Sequence, residues 1–405
     1  MRPSAIALSS LLAVSVASAA AAQPSADLRG FRASIDPGAG VYSEPAATPD
    51  TGEWSASLWA SYAYRPIVLR HPSSNEARFD VLRHQVSADF AAGVGVARRL
   101  LVGLTLPVVL YQSGDEPTSD ATRVLGDTWV PAQALGDLGL VGKLTLVQPT
   151  AGELGGFALA LHERFTLPTG DEASFVGEGS VTNELRLLAE YRLIAFGAHL
   201  AAGLKLRADE ARFGCRATPA TAAGDPCPTV FGHELPFGLG LSFRPQILGI
   251  DPEGRATFFL EAYGHLPLSP IAPFENQETA ALELALSARY ALGDVSFLGG
   301  VGTALVGGVG TAPLRAVLSV AWTPRVHDAD GDGVDDDADQ CRELAEDRDG
   351  FQDRTAAPRG TTTRTASSTT RTAARRRRKT RTASRTRTAA PTRDGAATAR
   401  EGALH

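Results

Sequence analysis

The sequence predicts an all-β protein whose main domain is an antiparallel transmembrane β-barrel of about 12 strands. Apolar residues alternate with small or polar ones in repeated runs between residues 54 and 325. Ionised side chains recur on one face of these runs, while the other face stays apolar. After the first 22 residues, no stretch of about 18 uncharged apolar residues offers a membrane-spanning helix. A closed barrel also crosses lipid, because all of its backbone polar groups are paired.

The first 22 residues have the pattern of a cleaved secretory signal. Arg2 precedes an apolar run over residues 5–16 and a small-residue stretch over residues 17–22. This order is typical of export signals. A membrane-spanning or buried helix is the alternative, but the run is shorter than the roughly 20 residues that a span requires. We expect residues 23–53 to form an N-terminal periplasmic segment.

Each predicted strand is a run of roughly ten residues with period-two alternation. In the first run, Trp54, Leu58 and Tyr62 share one face, and Ser55 and Ser61 share the other. Strands of this length, tilted by about 45°, match the hydrocarbon thickness, whereas soluble strands average about five or six residues. A soluble β-sandwich also alternates, and it is the alternative fold. The runs begin near Trp54, Gln85, Leu100, Asp137, Phe157, Asn183, Phe196, Phe237, Thr257, Ala281, Val295 and Pro313.

The predicted connections are alternately long and short. Segments 112–136 and 208–234 are long, while 93–99 and 193–195 are tight. Long loops at one end and short turns at the other are typical of outer-membrane barrels. Aromatic residues near strand ends are candidates for interfacial girdles. They are Trp59, Tyr62, Tyr64, Tyr111, Tyr191, Tyr263, Tyr290 and Trp322.

The ionised face of the strands predicts the lining of the barrel interior. Each of these side chains has apolar neighbours one residue away, as expected where one face meets lipid and the other a polar lumen. Their charges have both signs, so they predict no ion preference. The predicted pore-lining residues are Lys143, Glu163, Arg186, Glu190, Arg192, Lys205, Glu261, Glu283 and Arg289.

Three cysteines are too few for a disulfide scaffold, although an exported protein would permit disulfides. Cys215 and Cys227 bracket a segment rich in Pro, Ala, Thr and Gly, and they are the candidates for one disulfide that closes this loop. Cys341 is left over without a partner.

Residues 326–353 form an Asp-rich stretch that predicts a calcium-binding repeat. Carboxylates at positions 1, 3, 5, 9 and 12 of a loop, with Gly333 at position 6, match the EF-hand spacing. Asp339 stands where an EF-hand has the longer Glu, and no amphipathic helix flanks the loop, so weaker or differently closed binding is expected. A solvated acidic linker is the alternative. The ligands are Asp328, Asp330, Asp332, Asp336 and Asp339.

The same stretch, residues 328–353, resembles the thrombospondin type 3 repeats of bacterial OmpA-family proteins. The resemblance continues through Asp347, Asp349 and Asp353 and departs where Arg342 replaces a proline common after the cysteine. It implies three further calcium ligands at these aspartates and a periplasmic stalk that leads to a peptidoglycan-binding domain. Segments 135–143 and 167–171 look like motifs of OmpA-family and phenol-degradation-type barrels.

Residues 354–405 are predicted to be a disordered tail rich in Thr, Ala and Arg. They hold 14 of the 39 basic and two of the 45 acidic residues, which leaves 25 basic and 43 acidic residues before them. Read one base out of frame, codons for residues 363–375 can encode another Asp- and Gly-rich repeat that ends in Cys-Pro. We interpret the tail as the product of a frameshift that replaced further repeats and a cell-wall domain. A genuine basic tail that binds polyanions is the alternative, and nucleic acid is not a predicted partner.

No enzyme motif occurs in a suitable context, so the sequence predicts a non-enzymatic protein. Four scattered histidines favour pore-facing or interfacial roles: His84, His162, His199 and His265. A catalytic cluster at the barrel rim would need His162, Glu163 and Glu190 together, and it is the weaker interpretation.

These observations predict an outer-membrane protein with a structural or porin-like role. Its expected partners are outer-membrane lipid and calcium ions, and peptidoglycan would bind through the domain that the frameshift replaced. The stalk and the tail would lie in the periplasm. An uptake channel for small hydrophobic or aromatic compounds is the second hypothesis, based on the phenol-pathway resemblance. A secreted calcium-dependent adhesin is the third.

Overall fold

The computed structural model describes residues 26–70, 77–115, 130–148, 155–171, 174–213, 229–273 and 280–324. These residues form an all-β fold, as predicted, with one short 3-10 helix at Pro245–Leu248. The described part of the chain contains no helix long and apolar enough to cross a membrane. The strands are β1 (Trp54–Arg70), β2 (Ala77–Ala97), β3 (Leu100–Ser113), β4 (Ala134–Leu135), β5 (Leu138–Val147), β6 (Gly155–Leu167), β7 (Thr182–Leu193), β8 (Phe196–Arg207), β9 (Ala211–Phe213), β10 (Thr229–Phe231), β11 (His233–Phe243), β12 (Ala256–Ser269), β13 (Ala281–Leu292), β14 (Val295–Val306) and β15 (Leu314–Trp322).

Twelve long strands close into an antiparallel barrel. Each pairs with the next long strand along the chain, and the ring closes where Ala60 of β1 lies opposite Leu318 of β15. The two-residue strand β4 adds to β3, and β9 and β10 pair only with each other. Closure pairs each of the twelve long strands with a neighbour on both sides, which is what a chain surrounded by lipid requires.

The two faces of each barrel strand have different chemistry, and β13 shows the difference. Leu286 points outward and is 57% exposed, while Glu283, Ser287 and Arg289 point inward and are buried. Because side chains alternate along a strand, the pairing register fixes which residues face lipid and which face the interior. The exposed face of the barrel is dominated by Leu, Val and Phe, as expected of a lipid-facing surface.

The connections differ at the two ends, as predicted. Two-residue turns at 98–99, 194–195 and 293–294 lie at the end where β1 starts, and most of the longer loops lie at the other. Trp54 and Trp322 pack edge to face at the short-turn end, with ring centroids 5.0 Å apart. Tyr191 and Tyr290 are exposed at the same end, Tyr64 and Tyr111 at the opposite one. Two predicted girdle residues, Trp59 and Tyr263, instead point inward and are buried.

Leu286→Arg tests the outward face of β13. A charged side chain at the bilayer midplane should lower the free energy of unfolding by about 2–4 kcal/mol. Urea unfolding in lipid vesicles, followed by tryptophan fluorescence, measures this change. Ile250→Arg, in the exposed turn between β11 and β12, is the matched control and should cost about 0.5 kcal/mol or less. Equal stability of the two variants would show that the Leu286 face does not meet lipid.

Candidate functional site

The barrel interior is filled by the residues that precede β1. Residues 26–46, called the luminal segment below, contact side chains from β1, β2, β5, β6, β7, β12 and β13, and so lie inside the ring. Phe31, Ile35 and Val41 are buried in one cluster with Trp59 and Leu101 of the wall. The sequence predicted a periplasmic segment over residues 23–53. The structure instead places residues 26–46 inside the barrel. The sequence did not indicate this position, because the groups that hold the segment lie on many strands that are distant in sequence.

One carboxylate of the wall holds the middle of the luminal segment. Glu261 of β12 accepts hydrogen bonds from the backbone N–H groups of Val41 (2.8 Å), Tyr42 (3.0 Å) and Ser43 (2.6 Å). A Cβ atom on Gly40 would lie 2.6 Å from the Glu261 carboxylate, so a side chain there would displace the carboxylate from these three donors. This arrangement satisfies three consecutive donors with one buried charge.

Glycines of β11 make room for the same part of the segment. A Cβ atom on Gly238 would lie 2.3 Å from the Tyr42 ring, and one on Gly240 would lie 2.1 Å from Ser43 Oγ. The Tyr42 ring stacks on the Tyr263 ring, with centroids 4.9 Å apart and an interplanar angle of 2°. The segment therefore fits against a recess in the wall that these glycines create.

Ion pairs hold the luminal segment along its length. Near its start, Arg29 pairs with Asp89 of β2 at 2.7 Å. Further along, Asp36 pairs with Lys143 of β5. Each of these groups is buried. Because removing one partner of a buried pair strands the other charge, at a cost of about 3–5 kcal/mol, the segment and the wall depend on each other.

Wall cations also bind backbone carbonyl groups of the segment. Arg164 of β6 donates to the Ala33 carbonyl at 2.9 Å, and Arg289 of β13 donates to the Ala39 carbonyl from Nε at 3.0 Å. The N–H of Ala46 donates to Glu190 of β7 at 3.0 Å. These contacts satisfy polar groups of an irregular segment that has no regular secondary structure of its own.

The loop between β6 and β7 contributes one further anchor. Glu178 is buried and pairs with Arg32 of the luminal segment at 3.0 Å, and it also contacts Lys205 and Arg207 of β8. Burial raises the pKa of the Glu178 carboxyl, but the three cations outweigh burial and hold that pKa below its ordinary value. The carboxylate therefore stays ionised and links the segment to the wall.

Eight of the predicted pore-lining residues occupy inward-facing strand positions. Among them, Arg192 is the most exposed, near the end of β7, where it pairs with Glu190. They therefore contact the luminal segment, one another or the residual cavity instead of an open pore. The eight are Lys143, Arg186, Glu190, Arg192, Lys205, Glu261, Glu283 and Arg289.

Glu163 lies on the other face of its strand and bonds Asn183 of β7. The pairing of β6 turns its neighbours His162 and Arg164 inward, and both are buried. The sequence prediction placed the wrong set of alternating β6 residues on the inward face, because three polar residues follow each other in this run. The prediction also omitted several buried charges that point inward. Alternation with the other inward-facing residues of the same strands would have indicated them. They are Asp89, Arg164, Glu184, Arg207, Glu234 and Arg315.

Two sets of predicted residues lie outside the described part of the chain. They are the cysteine pair, Cys215 and Cys227, and the calcium ligands Asp328, Asp330, Asp332, Asp336, Asp339, Asp347, Asp349 and Asp353. Within the described ranges, no group of three or more His, Cys, Asp or Glu side chains is placed to hold a metal ion.

A cavity of about 100 Å³ remains between the luminal segment and the wall. Its lining is rich in charges of both signs. Wall groups come from β6, β7, β8, β11, β12 and β13, and the segment contributes both charged and aromatic side chains. The ionised and tyrosine residues of the lining are Asp27, Arg32, Tyr42, Glu44, Arg164, Glu184, Arg186, Lys205, Glu234, Tyr263 and Glu283.

The fold is similar to that of solved outer-membrane barrels. An outer membrane channel from Pseudomonas putida F1 superposes with a TM-score of 0.50 at 14% identity, over 72% of this chain and all of that one. The KdgM porin in complex with disordered oligogalacturonate has a TM-score of 0.37 at 6% identity, over 66% of this chain and 98% of that one. No protein-family model and no curated protein matches the sequence. At these identities the likeness establishes the fold alone.

Glu261→Ala tests the anchor of the luminal segment. The substitution leaves three buried N–H donors without their acceptor, at about 1–3 kcal/mol each. Hydrogen exchange of residues 41–43 should therefore accelerate by at least about tenfold. Mass spectrometry of peptides covering these residues measures the rate. Glu163→Ala, on the outward face, is the control and should leave that rate unchanged. Unchanged exchange in Glu261→Ala would contradict the anchoring role.

Proposed function

We propose that the protein is a non-enzymatic outer-membrane channel that passes small polar solutes beside a fixed luminal segment. One observation carries this proposal: a closed barrel with an apolar exterior surrounds an interior whose charged and apolar groups leave a cavity of about 100 Å³. Small solutes fit such a space, whereas large ones do not. The likeness of the fold to outer-membrane barrels agrees with this location.

The orientation in the membrane follows from the connections. Outer-membrane barrels have short turns on the periplasmic side and longer loops outside. By this rule the end that carries the 98–99, 194–195 and 293–294 turns faces the periplasm. Residues 326–405 follow β15 at this end, so the Asp-rich stretch and the tail would lie in the periplasm.

The contacts of the luminal segment favour conduction beside it over conduction after its release. Release would break the three bonds to Glu261 and leave wall charges such as Lys143 and Asp89 without their partners. Each stranded charge costs about 3–5 kcal/mol. The sum exceeds what a weakly bound small solute supplies.

An uptake channel for small hydrophobic or aromatic compounds is the second candidate. Its support is the sequence resemblance to phenol-degradation-type barrels, together with apolar residues such as Phe31 and Val41 in the cavity lining, while the ionised residues there favour polar solutes. The secreted adhesin is the least favoured candidate, because an aqueous exterior would not stabilise the broad belt of exposed Leu, Val and Phe.

A crosslink between the luminal segment and the wall distinguishes the two routes of conduction. Ala46 packs in one buried cluster with Ala160 of β6, so Ala46→Cys and Ala160→Cys offer a site for a disulfide or a short bifunctional reagent. The three native cysteines are first replaced by serine. We expect ion conductance in planar bilayers, and glycerol-driven swelling of liposomes, to persist after crosslinking.

Each single-cysteine variant, treated in the same way, is the matched control. Conductance that disappears on crosslinking and returns on reduction would show that the segment must leave. A barrel that is silent in both states, although it shows heat-modifiable migration and so is folded, would reject the channel and favour a structural role.

We further propose that residues 326–353 bind calcium, as the spacing of their carboxylates indicates. The link to peptidoglycan rests on the resemblance to thrombospondin type 3 repeats of OmpA-family proteins. It extends the same proposal to a cell-envelope role.

Calorimetric titration of the full-length protein with calcium tests the Asp-rich stretch. Asp332→Asn removes one charged ligand beside the turn glycine and should weaken binding by about tenfold. Asp394→Asn, in the Thr/Ala/Arg-rich tail, is the control and should bind as the unaltered chain does. Absence of calcium-dependent heat in the unaltered protein would favour the acidic-linker interpretation.

A further inference from the structure

Arg164 is a buried cation without an anionic partner in the described ranges of the chain. Its guanidinium donates to two neutral oxygens, the Ala33 carbonyl at 2.9 Å and Thr105 Oγ1 at 3.3 Å. Its Nε has no hydrogen-bond partner among the described residues, and no described carboxylate pairs with it. The residue is 6% exposed and lines the cavity. A buried charge in this state is costly unless an anion or water reaches it.

Other cavity-lining ions already have partners. Arg32 pairs with Glu184 at 3.1 Å, and Glu283 pairs with Arg315 at 2.8 Å. Arg164 therefore differs from its neighbours in the cavity. Its Nε–H group is buried and unsatisfied, so a solute that reached it would gain a hydrogen bond.

Glu44 and Tyr42 of the luminal segment present the complementary groups. One oxygen of Glu44 lies 3.4 Å from Arg186, but its second oxygen, Oε2, has no hydrogen-bond partner in the described chain. The hydroxyl of Tyr42 makes no hydrogen bond of good geometry to a described residue, although the Arg186 guanidinium lies over the Tyr42 ring, 5.4 Å from its centroid. Both residues line the same cavity as Arg164. The residues around the cavity thus carry an unsatisfied donor beside a positive charge, an unsatisfied acceptor on a negative charge, and a hydroxyl. All three atoms are closed off from the cavity in the described structure, so a bound solute reaches them through small side-chain movements.

We propose that this cavity binds a small amino acid as its zwitterion. The carboxylate would accept from Arg164 Nε and the Tyr42 hydroxyl, and the ammonium would donate to Glu44 Oε2. A neutral zwitterion suits the site because it satisfies both signs without adding net charge to a low-dielectric interior. This inference rests on the proposed channel function and names the solute class that the cavity takes.

Saturation-transfer NMR with L-alanine on the full-length protein in detergent tests the site. Propionate lacks the ammonium group and ethylamine lacks the carboxylate. We expect each to bind about tenfold more weakly than alanine, because each loses one charge-assisted hydrogen bond. The saturation transfer to alanine should stay the same when calcium is added or when the detergent concentration is raised.

Three substitutions assign the contacts. Arg164→Gln should weaken alanine binding by about tenfold or more. Glu44→Gln should reduce alanine affinity to that of propionate, and Tyr42→Phe should weaken it without affecting folding, because that hydroxyl has no other described partner. Arg99→Gln, in the exposed turn between β2 and β3, is the control and should bind normally.

The outcomes separate this inference from the channel function. Equal saturation transfer for alanine and propionate, or alanine binding that survives both Arg164→Gln and Tyr42→Phe, would overturn the zwitterion site. So would absence of transfer to alanine, which would leave water as the occupant. The conductance of the crosslinked protein is measured separately, so the site can fail while the channel stands.

Discussion

Each ionised side chain inside the barrel needs a partner of opposite charge or a hydrogen bond, and this requirement determines how the interior is filled. Residues such as Lys143, Glu261 and Arg289 project from different strands into one enclosed space. An ionised group in such a space is stable only when it is paired or hydrogen-bonded. The luminal segment supplies the partners: Asp36 for Lys143, three N–H groups for Glu261 and a carbonyl for Arg289. The wall, in turn, satisfies the backbone of a segment that forms no helix or strand.

This mutual dependence makes the segment part of the barrel's architecture. Glycines in the wall, such as Gly238 and Gly240, would collide with the segment if they carried a side chain. Glycine inside a strand normally weakens it, so its presence at these positions reflects the space that the segment occupies. The same reasoning applies to Gly40, which faces the Glu261 carboxylate. Strand and segment are therefore matched residue by residue.

The barrel was predictable from the sequence because its signals are local. Alternation along β13 separates Leu286 from Glu283 and Arg289 without reference to any other strand, and the connection lengths are read directly. Glu163 shows the limit of this reasoning: three consecutive polar residues leave the parity of β6 undetermined until its pairing with β7 is known. The position of residues 26–46 was not predictable, because Glu261, Lys143 and Arg29 find their partners across about 60 to 220 positions of sequence. No local pattern encodes such contacts.

The balance of charge then determines what the remaining space can accept. Most ions around the cavity neutralise each other, as Arg32 and Glu184 do, so their fields largely cancel at a distance. Among the described residues around the cavity, the unsatisfied hydrogen-bonding groups are on Arg164, Glu44, Tyr42 and Arg186, and the Arg186 Nε lies 3.1 Å from Glu184. A lumen lined by one sign of charge would select ions by their sign. A lumen whose charges are nearly all paired instead selects by the positions of its few free donors and acceptors, and a neutral solute with both kinds of group meets that requirement at the lowest electrostatic cost.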